Sequence, residues 1–330
     1  MSIPLSVLDL APVPAGTPSS QAIRRTVDLA QLAERLGFVR YWFAEHHGMP
    51  SVASSAPEIL IGHIAAATHR LRIGSGGIML PNHTPLKVAE IFRTLAALYP
   101  DRIDLGLGRA PGSDQNASRA LRASDGHDFA AQLSDLLAFT GQIQFSDRHP
   151  FRNVVAVPDD VPLPPIWILG SSGASARMAG GAGMGYSFAS HFSEAPAGPA
   201  FRAYRDSFEP SPQFPAPHTI LGVAVVCADT EEEASHLATT MDLAWLRIGR
   251  GEFLPLPSPQ EAQAYPYTEF ERRAVAEYRR RTVIGTPGVV RARIEAMARD
   301  SGADEVMVVS NLHGHAERLR SYELLAQVFS

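Results

Sequence analysis

Short apolar runs alternate with stretches of helical spacing along most of this chain. Ile3–Leu10 is a run of strand length, closed by Pro12 and Pro14. Ser19 or Ser20 can cap a helix reaching about Arg35, with Ile23, Val27, Ala30 and Leu36 near helical spacing, and Gly37 suits its C-terminal stop. The next run, Val39 to His47, opens with β-branched and aromatic bulk in Val39, Tyr41, Trp42 and Phe43 and ends in three ionisable side chains, Glu45, His46 and His47. Pro57 fits the first turn of a helix carrying Ile59–Thr68. Leu71–Leu80 predicts a third strand with Gly74, Gly76 and Gly77 inside it, Pro85 opens a helix to Tyr99, and Arg102–Leu107 predicts a fourth strand ending in Gly108-Arg109.

The second half repeats the alternation more loosely. Strands are expected over Pro165–Leu169, Tyr186–Ser190, Thr219–Val226 and Glu305–Ser310, with helices over Ala174–Gly180, Thr230–Leu246 and a closing one to Val328. Strand–helix alternation with short connections argues for right-handed βαβ units and a parallel sheet. Eight strand candidates predict a (β/α)8 TIM barrel, with a doubly wound open sheet as the other solution. Such barrels take about 250 residues, so about 80 of the 330 remain for insertions. Those insertions are expected over Gly112–Pro164, the proline-rich Glu194–Pro217 and Gly249–Thr286, at the C-terminal face of one domain spanning residues 1–330.

Composition narrows the function more than the fold. With 45% hydrophobic and 19% charged residues the chain is ordinary for a globular protein, and its net charge of -5 speaks against a nucleic-acid or anionic-membrane binder. The lone cysteine, Cys227, can form no internal disulfide, which suits a reducing compartment. No secretory signal and no run of roughly 20 apolar residues is present, so a cytoplasmic location is expected.

Four groups of residues can carry chemistry. Glu45, His46 and His47 end a strand, which is where barrel enzymes place their reactive groups. They could form a metal site, a general base with its orienting partner, or a purely structural cluster. Adjacent histidines point oppositely from a strand, and the only His-x-His, His313-Gly-His315, follows the last strand. Proton transfer by a histidine next to a carboxylate therefore suits the cluster better than metal binding. Three glycines in the third strand require missing side chains, either for a ligand ring against that backbone or for a large neighbour such as Trp42. Arg109 at the end of strand four is placed for a phosphate or carboxylate, or for a salt bridge. The turn Leu169-Gly170-Ser171-Ser172-Gly173-Ala174-Ser175 opens a helix and offers backbone N–H groups and hydroxyls to an anion, or a simple N-cap. Together they outline a phosphate between strands four and five, a flat group against the glycines and a histidine above it: a bound flavin mononucleotide.

The motifs Tyr-Trp-Phe-Ala-Glu-His-His, Gly-Ser-Gly-Gly-Ile-Met-Leu-Pro, Arg-Ile-Asp-Leu-Gly-Leu-Gly-Arg-Ala-Pro-Gly and Trp-Ile-Leu-Gly-Ser-Ser-Gly-Ala-Ser-Ala resemble the bacterial luciferase-like family of flavin-dependent monooxygenases. The resemblance runs in one order to the ending Leu-Arg-Ser-Tyr-Glu-Leu-Leu-Ala and is strongest to its single-gene oxidoreductase branch. It implies a TIM barrel that takes reduced FMN from a separate flavin reductase and uses O2, through a flavin hydroperoxide, to oxidise a small organic substrate. By position it makes His46 the catalytic base with Glu45 before it, and Gly76-Gly77 the family's non-proline cis peptide beside the flavin. Arg109, Gly170, Ser171, Ser172 and Ser175 fall at the phosphate site, and no metal is implied. Luciferase's reactive cysteine is Gly108 here and its alkanal pocket is not recognisable, so light emission is not implied. A water-excluding lid is expected from Gly112–Pro164 and Gly249–Thr286.

Other readings on the same barrel are a deazaflavin-dependent oxidoreductase, against which the compact phosphate site speaks, and a flavin-binding protein without turnover, against which Glu45-His46 speaks. A metal-dependent hydrolase is a third. The resemblance also implies a homodimer. The apolar faces at Ile59–Ile61, Ile64–Ala66 and Leu95–Leu98 could pair between copies or pack on the barrel.

Overall fold

The structure, a computed structural model, describes residues 3–124 and 126–329. Its strands are β1 (Leu5–Asp9), β2 (Arg40–Phe43), β3 (Arg72–Ser75), β4 (Ile103–Gly108), β5 (Ile166–Gly170), β6 (Gly185–Ala189), β7 (Thr219–Cys227) and β8 (Glu305–Val309). They pair in parallel in chain order, and β8 pairs with both β7, Glu305 opposite Ile220, and β1, Val306 opposite Leu5. The sheet closes on itself, as the eight-strand pattern predicts.

Alternation along each strand separates two cores. Trp42, Ala44, Trp167, Ile220 and Met307 fill the barrel interior, while Tyr41, Phe43, Ile73, Leu105 and Val306 face the surrounding helices. The helices α1 (Ser19–Leu36), α2 (Pro57–Ala67) and α3 (Pro85–Leu98) start and stop close to expectation, α1 closing on Gly37 in the left-handed conformation. The third apolar run is broken, however: β3 stops at Ser75, the Gly76–Gly77 peptide is cis, and pairing resumes at Ile78–Met79.

Two of the three expected insertions contain regular barrel helices. Within Gly112–Pro164 lie α4 (Gln115–Leu121) and α5 (Phe129–Phe139), and α5 packs on α3. After α6 (Gly173–Gly181), the proline-rich segment holds α7 (Ala197–Asp206), where Pro199 sits harmlessly in the first turn. Only the segment after α8 (Glu231–Gly249) is a true addition, with α9 (Pro259–Ala264), α10 (Glu269–Arg281) and a short strand, Thr282–Gly285, on the C-terminal half of β7. Thr268 and Glu271 form a reciprocal capping box that starts α10. A helix between the additions and β8, α11 (Pro287–Ser301), and the closing α12 (His315–Phe329) complete the ring.

Buried charges tie the barrel together at both ends of its strands. Arg40 bridges Asp104 at 2.8 Å and Glu305 at 3.1 Å, with its guanidinium 4.7 Å from the Trp167 ring centroid. Arg318 of α12 reaches Asp9 of β1 at 2.7 Å, and the Tyr41 hydroxyl donates to the same carboxylate. Among the described residues no helix is long and apolar enough to cross a membrane.

Candidate active site

A cavity of about 620 Å3 opens where the C-terminal ends of the strands meet the added segment. His46, Gly76, Arg109, Gly170, Ser171, Ser172 and Ser175 all line it. Glu45 and Gly77 do not. The inward parity of Trp42 and Ala44 carries on past β2 to His46, whereas Glu45 continues the outward parity of Tyr41 and Phe43.

Glu45 is fully buried outside the barrel wall. It accepts hydrogen bonds from Met79 N at 2.8 Å, Asn82 Nδ2 at 2.9 Å, His47 Nε2 at 2.8 Å and His83 Nε2 at 3.0 Å. Burial pushes its pKa up, but the bonds from His83, Asn82 and His47 outweigh that and hold it below the usual carboxylate range. His83 is correspondingly raised: Glu45 overcomes the opposing effect of burial. The expected Glu45–His46 pair is therefore not formed. Glu45 instead pins the chain after β3 to the end of β2, and its outward position on the strand is the reason.

His46 is held by its backbone, N to Ser54 O at 3.0 Å, while Ser54 Oγ donates to Ala44 O at 2.6 Å. Its ring Nδ1 is buried without a hydrogen-bond partner. Burial lowers its pKa more than the nearby Glu45 charge raises it, so the imidazole is neutral at physiological pH.

The glycines serve both uses that the sequence left open. At Gly74 a Cβ would lie 2.8 Å from Trp42 Nε1, and at Gly77 2.7 Å from Gly106 O; both positions are demanded by packing. Gly76 is different, because it also lines the cavity and leaves its floor bare of side chain. Gly108 seats Met79, whose Sδ would be 2.7 Å from an added Cβ.

Arg109 is exposed at the end of β4 and, among the described residues, enters no salt bridge. The turn after β5 is organised from below by a residue that the sequence reading placed only as the start of a strand. Tyr186 of β6 donates to Ser172 O at 3.0 Å and lies 3.2 Å from Ser175 Oγ, which itself donates to Ser172 O at 2.9 Å. A Cβ at Gly170 would strike Ser175 Oγ. The N-terminus of α6 is thus open and unblocked by any side-chain cap, with hydroxyls around it and, on the same cavity, the Arg109 guanidinium, which has no salt bridge among the described residues. Such a turn offers N–H and O–H donors, beside a cation, to an anionic group.

The model of the family described as luciferase-like monooxygenase matches residues 3–322. The chain belongs to the luciferase-like monooxygenase family. It is 40% identical to a luciferase-like monooxygenase of Escherichia coli strain K12, over 99% of this chain and 97% of that protein. It is 32% identical to the N-acetyl-S-alkylcysteine monooxygenase of Bacillus subtilis strain 168, over 98% of this chain and 97% of that one. Among solved structures, apo-MsnO8 superposes with a TM-score of 0.89 at 40% identity, over 99% of this chain and 98% of that chain. The protein is an enzyme of this family, and its strand-end histidine, cis Gly76–Gly77 and α6 turn stand where the motifs predict.

Sequence reasoning expected a lid from Gly249–Thr286 but named none of its cavity-lining side chains. Trp245 of α8 and, from the added segment, Leu256, Tyr278 of α10 and Thr282 line the cavity, with the Trp245 and Tyr278 rings 5.0 Å apart. It also missed His191, beyond the end of β6. Its signal was present: Ser187, Ala189 and His191 all line the cavity at alternate positions, as Trp42, Ala44 and His46 do.

Proposed function

We propose that this protein is an FMN-dependent monooxygenase that takes reduced FMN from a separate reductase and oxidises a small, largely apolar organic substrate with O2. The observation that carries the reading is the gathering of Gly76, His46, Arg109 and the Gly170–Ser175 turn around one cavity. The residues suit the cofactor: the Arg109 cation and an open helix N-terminus for its phosphate, and a side-chain-free patch at Gly76 for its ring. The same fold holds FMN in the oxygenating constituent of a Pseudomonas putida 3,6-diketocamphane monooxygenase, which is 17% identical with a TM-score of 0.72.

When bound, reduced FMN supplies two electrons and the site at which O2 is activated. Arg109, Ser171, Ser172 and Ser175 bind and orient the phosphate. His46, neutral and with one ring nitrogen enclosed, holds or passes a proton at the nitrogen left to the cavity. Apolar lining from Leu8, Met49, Val226, Met241, Ile248 and Val309 excludes water. Among the described lining residues Arg109 is the only fixed charge, which favours an uncharged substrate body. Pairing of two copies through α2 and α3 completes the reading, since Ile59 and Leu98 stand exposed on them.

Anaerobic titration with reduced FMN and with a reduced deazaflavin, followed by oxygen-uptake measurements, tests it. Preferential binding of FMN and substrate-dependent oxygen consumption are expected. Preference for the deazaflavin, or binding without oxygen consumption, would overturn it.

A further inference from the structure

We propose that His191 is a second active-site imidazole, contacting the organic substrate from the wall opposite His46. The proposal rests on the FMN reading, which sets the flavin against the β3–β5 side of the cavity. In a closed eight-stranded barrel β6 stands across from β2, and both carry an inward-facing histidine just past the strand end. The chain builds a seat for this ring. Its Nδ1 would be 3.0 Å, and its Cε1 3.3 Å, from a Cβ at Gly222 of β7, so the ring packs closely over this glycine. Phe192 packs edge-on against it at 4.8 Å between centroids.

The loop that carries His191 is fastened at two points. Ser193 N donates to Ala189 O at 3.1 Å, and Arg281, at the end of α10, pairs with Glu194 at 2.9 Å and donates to Phe192 O at 3.4 Å. Arg281 thus joins this loop to the roof segment that bears Tyr278 and Thr282. Nδ1 is enclosed against the Gly222 backbone, which occupies that side of the ring. The ring nevertheless lines the cavity, so Nε2 is the nitrogen it offers to a ligand. No Asp or Glu side chain lines the described cavity to charge or orient it. A neutral imidazole next to an aromatic roof suits the polar end of an apolar molecule.

Labelling of the full-length protein with diethyl pyrocarbonate, mapped by peptide mass spectrometry, separates the outcomes without knowledge of the substrate. The rate at His191 and at His46 is compared with and without FMN at about ten times its dissociation constant, a concentration that protects a covered residue about tenfold. The expected result is about tenfold protection of His46 and less than about twofold change at His191. Tenfold protection of His191 would place it under the flavin, and absence of labelling in both samples would make it a packing residue; either overturns the proposal. FMN binding is followed separately by flavin fluorescence, and its failure would remove the FMN reading and this proposal with it.

Discussion

Glu45 and His46 are neighbours in the chain and belong to different environments, because successive side chains of a strand leave opposite faces. His46→Ala is expected to lower turnover by about 100-fold or more while FMN affinity changes only a few-fold, the range for loss of a positioned proton-transfer group. Rapid-reaction turnover and flavin titration on one preparation check this; parallel losses would make His46 a binding residue. Arg109→Ala should weaken FMN about 10- to 100-fold, the value of a charge-assisted hydrogen bond, and leave riboflavin unaffected. Equal losses for the two flavins would take Arg109 off the phosphate. His191 makes a pH prediction. Burial pushes its pKa from 6.5 down to about 4, so the unfolded chain takes up a proton that the folded protein refuses. Its contribution to stability is complete above pH 6.5 and is lost as pH falls toward 4. Urea midpoints across that range should fall less steeply for His191→Phe than for the parent.

At the scale of elements, strand ends are made rigid by buried polar partners rather than by the strands alone. Glu45 gathers Met79, Asn82, His47 and His83, and Gly112 lets the chain beyond Arg109 pass over it, since a Cβ there would lie 2.6 Å from Glu45 O. The consequence is that β2, β3 and β4 present His46, Gly76 and Arg109 in fixed relation. The closing helix is secured in the same manner. Arg318→Met would leave Asp9 buried and without its cation, at a cost of about 3–5 kcal/mol. Equilibrium urea unfolding measures it, and a loss below about 1 kcal/mol would mean that Asp9 finds water or another partner. Strand existence and order were legible because apolar runs of strand length have few alternative uses. The helices α7 and α11 were not. In α7 a glycine and a proline in the first turn hide a buried stripe of Ala197, Ala200, Phe201 and Tyr204; α11 buries only Val290, Ile294 and Ala298 along fifteen residues.

For the whole molecule, the apolar faces of α2 and α3 are mostly turned inward: Leu60, Ile61, Ile64, Ala65 and Leu95 are buried against the barrel. What remains outward is Ile59, 69% exposed, and Leu98, 64% exposed. If two copies pair there, Ile59→Glu should shift the sedimentation coefficient from dimer to monomer without altering FMN binding, and an unchanged coefficient would move the interface elsewhere. The barrel, its strand order, the cis-peptide position and the strand-end cavity residues His46, Gly76, Arg109 and Ser171 were readable in the chain, because each depends on local periodicity, on glycine, or on motifs kept in one order. The partnership of the ionisable groups was not. Whether Glu45 serves His46 or His83, whether Arg40 is paired, and which histidine faces His46 across the mouth depend on residues tens to hundreds of positions apart. Chain closure brings those groups within hydrogen-bonding distance, and electrostatics in a buried site is decided by such distances. The roof is the clearest instance: a lid from Gly249–Thr286 was expected, but Tyr278 and Thr282 carry no motif, and only the docking of the segment after α8 onto β7 sets them above the cavity beside Trp245 of α8.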